Sequence, residues 1–161
     1  MEYVCSCLIV VLCGLIGFSF AKEYEKKYEF YKSLCEFVKY LKIHMKYDHS
    51  PLKNHFKNFE GNKNFQLFLN VVYNQIEKGC INKYEIKQVA TTLKDEELME
   101  ICTFLSQLGK MDIYAQENLL ENNLNIFLQR CEDCLELKNK NSPTLKKLGI
   151  GVGLIISIIL I

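Results

Sequence analysis

A chain of 161 residues with 20 lysines and arginines against 19 aspartates and glutamates has the length of one domain. It lacks the basic surplus that grips nucleic acid, so no nucleic-acid partner is expected. Apolar residues make up 49% of the chain and gather at its two ends, which sets its class.

Residues Val4 to Ala21 carry no charge. As a helix they reach about 27 Å, close to the hydrocarbon thickness of a bilayer. Ser19-Phe20-Ala21 looks like the cleavage site of a signal peptide. Such a peptide needs a basic segment ahead of its apolar run, whereas here Glu2 precedes the run and the lysines follow it. Residues 1–21 are therefore read as an N-terminal transmembrane helix. Lys22, Lys26 and Lys27 mark its cytosolic flank and suit anionic headgroups. Of the eight cysteines, Cys5, Cys7 and Cys13 fall in this run. In a reduced compartment cysteines serve as small, soft hydrophobes rather than as a disulfide frame.

Beyond the run, Tyr24, Tyr28, Tyr31, Leu34, Val38, Leu41 and Met45 recur at three- and four-residue steps, predicting a helix to Tyr47 with one apolar stripe. No Gly or Pro separates it from the membrane run, so one rod can continue through both. Ser50-Pro51 predicts a corner, with Ser50 as the cap and Pro51 at the first helical position. Leu52, Phe56 and Phe59 form the short stripe that follows. His44, His49 and His55 flank this corner without a metalloenzyme pattern and are expected at the surface.

A loop at Gly61 to Asn64 precedes a helix with Phe65, Phe68, Leu69, Val72, Tyr73 and Ile76 inward, closed by Gly79. The weaker stretch with Tyr84, Ile86, Val89 and Leu93 is assigned to helix, because a lone strand would have no partner. Asp95-Glu96-Glu97 opens another helix, carrying acids at its positive end and Leu98, Ile101, Cys102, Leu105 and Leu108 on one face.

The turn at Leu108 to Gln116 organises the rest. Gly109 can take the left-handed conformation that closes a helix, and Asp112 can cap the next. Two long helices are thus predicted antiparallel across a tight connection. Gln116, one turn on, is expected to face the interior or a partner and to fix register through its amide. The second helix of the pair runs from Ile113 to about Lys138. A polar break is predicted at Asn139 to Ser142, with Pro143 opening a new helix. Leu148 to Ile161 is again uncharged; at about 21 Å it is short for a span but is read as a C-terminal membrane segment. Lys138, Lys140, Lys146 and Lys147 precede it. The resulting plan is an all-α antiparallel bundle: a transmembrane helix at 1–21, a cytosolic helical domain at 22–147 and a membrane segment at 148–161.

Cys131-Glu132-Asp133-Cys134 has the spacing of a metal or redox pair, but no second pair completes a zinc site and both cysteines lie late in a helix. A thiol sensor using Cys131 and Cys134 remains the alternative to core packing. No phosphate-binding loop and no nucleophile elbow is present. No catalytic residue, cofactor or metal is assigned.

With these pieces in place, the chain resembles the stage III sporulation protein AB family. Leu108-Gly109-Lys110-Met111-Asp112 with Gln116 matches the family's Leu-Gly-x-x-Asp-x-x-x-Gln signature, Tyr47-Asp48-His49-Ser50-Pro51-Leu52 its Pro-Leu corner, and Leu148-Gly149 the start of its short apolar tail. Met111 stands where the family usually has serine. The resemblance implies a non-enzymatic membrane component of the channel complex between mother cell and forespore, similar to the platform proteins of type II secretion. It also implies docking of a partner secretion-type ATPase, with Pro51, Leu108, Gly109, Asp112 and Gln116 as candidate partner-binding or structural residues. Homo-oligomerisation is left open.

Overall fold

The computed structural model describes residues 2–47, 52–79 and 81–160, and among them every regular element is a helix. In order these are α1 (Glu2–Tyr47), α2 (Leu52–Asn58), α3 (Lys63–Glu77), α4 (Lys83–Val89), α5 (Asp95–Gln107) and α6 (Ile113–Leu160). Ser50 and Pro51 lie outside the described residues. The chain divides into two compact units, Glu29–Cys131 and a second made of Met1–Tyr28 with Glu132–Ile161.

In the unit Glu29–Cys131 the apolar stripe of α1 does what its spacing requires: Tyr31, Leu34, Val38 and Leu41 are buried. The centre of this core, however, is aromatic. Phe37 is fully buried and stands edge-on to Phe56 and Phe59, each at 5.1 Å between ring centroids, and also meets Phe65. Phe30 meets Phe65 at 5.3 Å and Phe68 at 4.9 Å, so α1, α2 and α3 join through one cluster of phenylalanines. Edge-to-face pairs of this kind add to the apolar area they bury.

Short polar links set the angles between the helices. Asn62 caps α3 by accepting from the Asn64 N–H at 3.0 Å. Gly79 closes that helix at φ +69°, a conformation that glycine adopts without a Cβ clash. Asn82 caps α4, and buried Gln75 ties α3 to that cap: its Oε1 accepts from the Asn82 N–H and its Nε2 donates to Glu85, both at 2.8 Å. The Lys94 N–H donates to Glu97 at 2.8 Å at the start of α5.

The helix expected to break at Asn139 to Ser142 does not. α6 runs through Pro143 to Leu160 as one element. A proline inside a helix forfeits a hydrogen bond and crowds the preceding turn, at a cost of about 3 kcal/mol. Packing within the terminal unit outweighs that cost, because α6 is held on both sides of the proline. Lys138 pairs with Glu25 at 3.6 Å and lies over the Tyr28 ring at 4.9 Å on one side, and Gly149 abuts Gly17 on the other. Ser142 is buried between these contacts, and the Thr144 hydroxyl donates to the Lys140 carbonyl at 2.9 Å.

The terminal unit is an antiparallel helix pair closed by glycine. A Cβ on Gly17 would stand 2.7 Å from the Leu145 carbonyl oxygen and 3.1 Å from the Gly149 Cα, and one on Gly153 would stand 2.9 Å from the Val10 Cα. Backbone thus lies directly on backbone, the close approach that small residues permit. The outward face is apolar: Leu8, Val11, Leu12, Leu15, Ile16, Phe18 and Phe20 on α1 are exposed, as are Leu148, Ile150, Val152, Leu154, Ile155, Ile156 and Ile158 on α6. Among the described residues no helix is long and apolar enough to cross a membrane. Of the first uncharged run, side chains are described from Leu8 onward.

Candidate functional site

The central turn is built by three residues that each answer a backbone need. α5 ends at Gln107 and α6 starts at Ile113. Gly109 holds φ +75°, and the Lys110 N–H donates back to the Gln107 carbonyl at 3.3 Å. The Asp112 carboxylate accepts from the Ala115 N–H at 2.9 Å, which places a negative charge at the positive end of α6. Leu108 is buried beneath the turn. Beyond it the helices run antiparallel: Phe104 packs edge-on against Phe127 at 5.5 Å, and farther from the turn Arg130 meets Glu100 at 2.5 Å and Glu97 at 3.6 Å.

Gln116 is buried and reaches in two directions. Its Oε1 accepts from the Gly109 N–H at 3.3 Å, and its Nε2 donates to the Met45 sulfur at 3.5 Å. One amide therefore ties the turn to the end of α1. Of the five candidate residues, the structure brings together Leu108, Gly109, Asp112 and Gln116; Pro51 lies outside the described residues. Its neighbour Leu52 has a methyl group 3.5 Å from where a Gly109 Cβ would be. That spacing is ordinary contact, so Gly109→Ala should cost only the left-handed backbone penalty of about 1–2 kcal/mol. Thermal melting should show a lowered midpoint with unchanged helical content; an unchanged midpoint would show that the turn relaxes.

Beside the turn is a small cleft of about 60 Å³, lined by Lys42, Met45, Ile113, Gln116, Glu117 and Leu120. Lys42 pairs with Glu121 at 3.3 Å along its edge. On the outer surface Met111, Ile113 and Tyr114 are exposed, Tyr114 by 82%. The site thus offers apolar contact and hydrogen bonding. Among the described residues no group of three His, Cys, Asp or Glu side chains could hold a metal ion.

The histidine expectation needs correction. His55 is buried, with its ring 6.0 Å from that of Tyr40, which itself lies 4.2 Å from His44. Leu52, His55 and Phe56 stand at positions one, four and five of α2, with Phe59 buried just past its end, so His55 completes the inward stripe of α2. His44 is exposed, and His49 lies outside the described residues.

Cys131 lies against Cys35 of α1. Burial, and then the neighbouring Cys131, push the Cys35 thiol up to about 12; burial alone pushes Cys102 up to about 11. Both thiols therefore stay protonated near neutrality and are poor nucleophiles. Unfolded cysteine ionises near pH 8.5. The stability these two thiols contribute is thus whole below that pH and is lost as the medium climbs toward 11 and 12. Denaturant midpoints should fall between pH 8.5 and 11, and fall less in a Cys35→Ala, Cys102→Ala double variant; equal falls would refute the assignment.

Sequence reasoning missed Arg130, the chain's single arginine. Burial disfavours its charge, but Tyr31, Glu100 and Glu97 together hold its guanidinium above the usual arginine range. The signal was available: one arginine among nineteen lysines, facing a helix with glutamates three residues apart.

Comparison with curated proteins and with solved structures finds no match. The family model described as stage III sporulation protein AB matches residues 2–161. The chain belongs to the stage III sporulation protein AB family.

Proposed function

We propose that this sporulation-family protein is a non-enzymatic membrane component of the channel complex between mother cell and forespore. In this reading its terminal helix pair rests in the mother-cell membrane and its central helices lie in the cytosol, where they dock a secretion-type ATPase. The observation that carries the membrane part is the belt of fourteen exposed large apolar side chains on the terminal unit. A water-soluble surface rarely exposes so much contiguous apolar area. Lysines crowd one end of the belt, the arrangement that keeps that end on the cytosolic side.

The docking surface in this proposal is the central turn. Ile113 and Tyr114 are exposed by 68% and 82% there, beside a cleft whose floor is fixed by Gln116. Aromatic and aliphatic anchors of this kind dominate binding energy at protein interfaces. Replacing both with serine in the full chain leaves the core untouched. The double variant should keep its helical signal and membrane fractionation while losing co-purification with the ATPase and lowering spore yield. An intact complex in the variant would move the docking surface elsewhere.

A further inference from the structure

The two long helices of the terminal unit are ordered by charge along their length, as well as by apolarity. Just beyond the exposed belt the carboxylates are already taken: Glu23, next to Lys22 in the chain, pairs with Lys26 at 3.1 Å, and Glu25 pairs with Lys138 at 3.6 Å. Next to the belt there are none. Residues 18–22 and 143–147 contain Lys22, Lys146 and Lys147 and no acid. Contacts fix these two segments at similar heights: Gly17 abuts Leu145 and Gly149, and the Lys146 ammonium lies 5.3 Å from the Phe18 ring centroid. Among the described residues none of the three lysines has a carboxylate partner. Lys22 and Lys147 are exposed, and the Lys146 ammonium is held by an aromatic face rather than by an anion.

Three unneutralised ammonium groups therefore ring the helix pair where its apolar belt starts, with exposed Phe18 and Phe20 at the same height. Lysine stems can lie along apolar surface and deliver their charge to the polar boundary above it. Aromatic rings favour the same boundary. We infer that Lys22, Lys146 and Lys147 take the phosphates of anionic phospholipids, fixing the depth of the helix pair at the headgroup layer of a negatively charged leaflet. This rests on the membrane reading above and adds to it the lipid class and the residues that recognise it.

The test uses the full chain, reconstituted by detergent removal into vesicles of phosphatidylcholine alone or mixed with phosphatidylglycerol. Flotation first asks whether the chain associates with either. Spin-labelled phosphatidylglycerol and phosphatidylcholine then report which lipid occupies the protein's boundary. The native chain should prefer the anionic lipid, on the order of tenfold at low salt and less at high salt. The triple variant K22Q, K146Q, K147Q should still float but show a preference near one. K138Q should keep the native preference, because Lys138 is already engaged by Glu25 and Tyr28. A chain that floats with neither vesicle overturns the membrane reading itself. A chain that floats with both but shows no lipid preference, or whose triple variant retains it, overturns only the lysine assignment, as does loss of preference in K138Q.

Discussion

Replacing Phe37 with alanine should lower the unfolding midpoint of the unit Glu29–Cys131 by roughly 10 °C or more. The argument is local. Phe37 is fully buried, and its ring stands between Phe56 and Phe59, with Phe65 on a third side. Deleting it removes a large apolar area and leaves a cavity that three rings from two other segments must line. Substitutions of this type cost about 3–5 kcal/mol, and each kcal/mol moves the midpoint of a domain this size by several degrees. Phe37→Leu keeps most of the volume and should lose less than half as much. Circular dichroism melts of both variants are the check. Equal losses would mean that ring geometry, not volume, holds the three helices together.

Gly17→Leu should separate the terminal helix pair. At this position even the first added carbon meets backbone, 2.7 Å from the Leu145 carbonyl oxygen and 3.1 Å from the Gly149 Cα. Neither neighbour is a side chain that can swing away. The helices must part, and overpacking of that kind costs roughly 3 kcal/mol. Gly151→Ala is the comparison: nothing lies within 4 Å of its added carbon, so the helix propensity gain of about 1 kcal/mol should show unopposed. Melting of the detergent-solubilised full chain should show opposite shifts in the two variants. A neutral Gly17→Leu would mean that the close approach is not part of the native packing.

Much of this architecture was legible because local chemistry and tertiary packing agree. The Gly109–Asp112 turn needs a positive φ and a capping oxygen, and only a few residue types supply either. The α1 stripe and the acidic start of α5 were readable for the same reason. Where the two levels disagree, the sequence misleads. Pro143 has the local preference of a helix start, yet contacts on both sides keep it inside α6. His55 is polar by type but apolar by position. Phe37 stands one residue before Val38, and a stripe drawn at steps of three and four passes over it. Arg130 was missed because its value comes from Glu97, Glu100 and Tyr31, which lie far away in sequence. The fourteen-residue apolar belt was foreseeable as composition, and Gly149 and Gly153 were readable as residues that allow close helix packing; that they would meet Gly17 and Val10 across the pair was not.

The terminal unit is assembled from the opening and closing stretches of the chain, Met1–Tyr28 and Glu132–Ile161. During translation its first half leaves the ribosome more than a hundred residues ahead of its second. At typical synthesis speeds that interval lasts roughly 5–20 s. Throughout it the groove at Gly17 has no Gly149 to fill it, while the intervening helices are free to fold. The newborn polypeptide therefore carries an open, sticky seam until Gly149 has been made, and only then can the groove close.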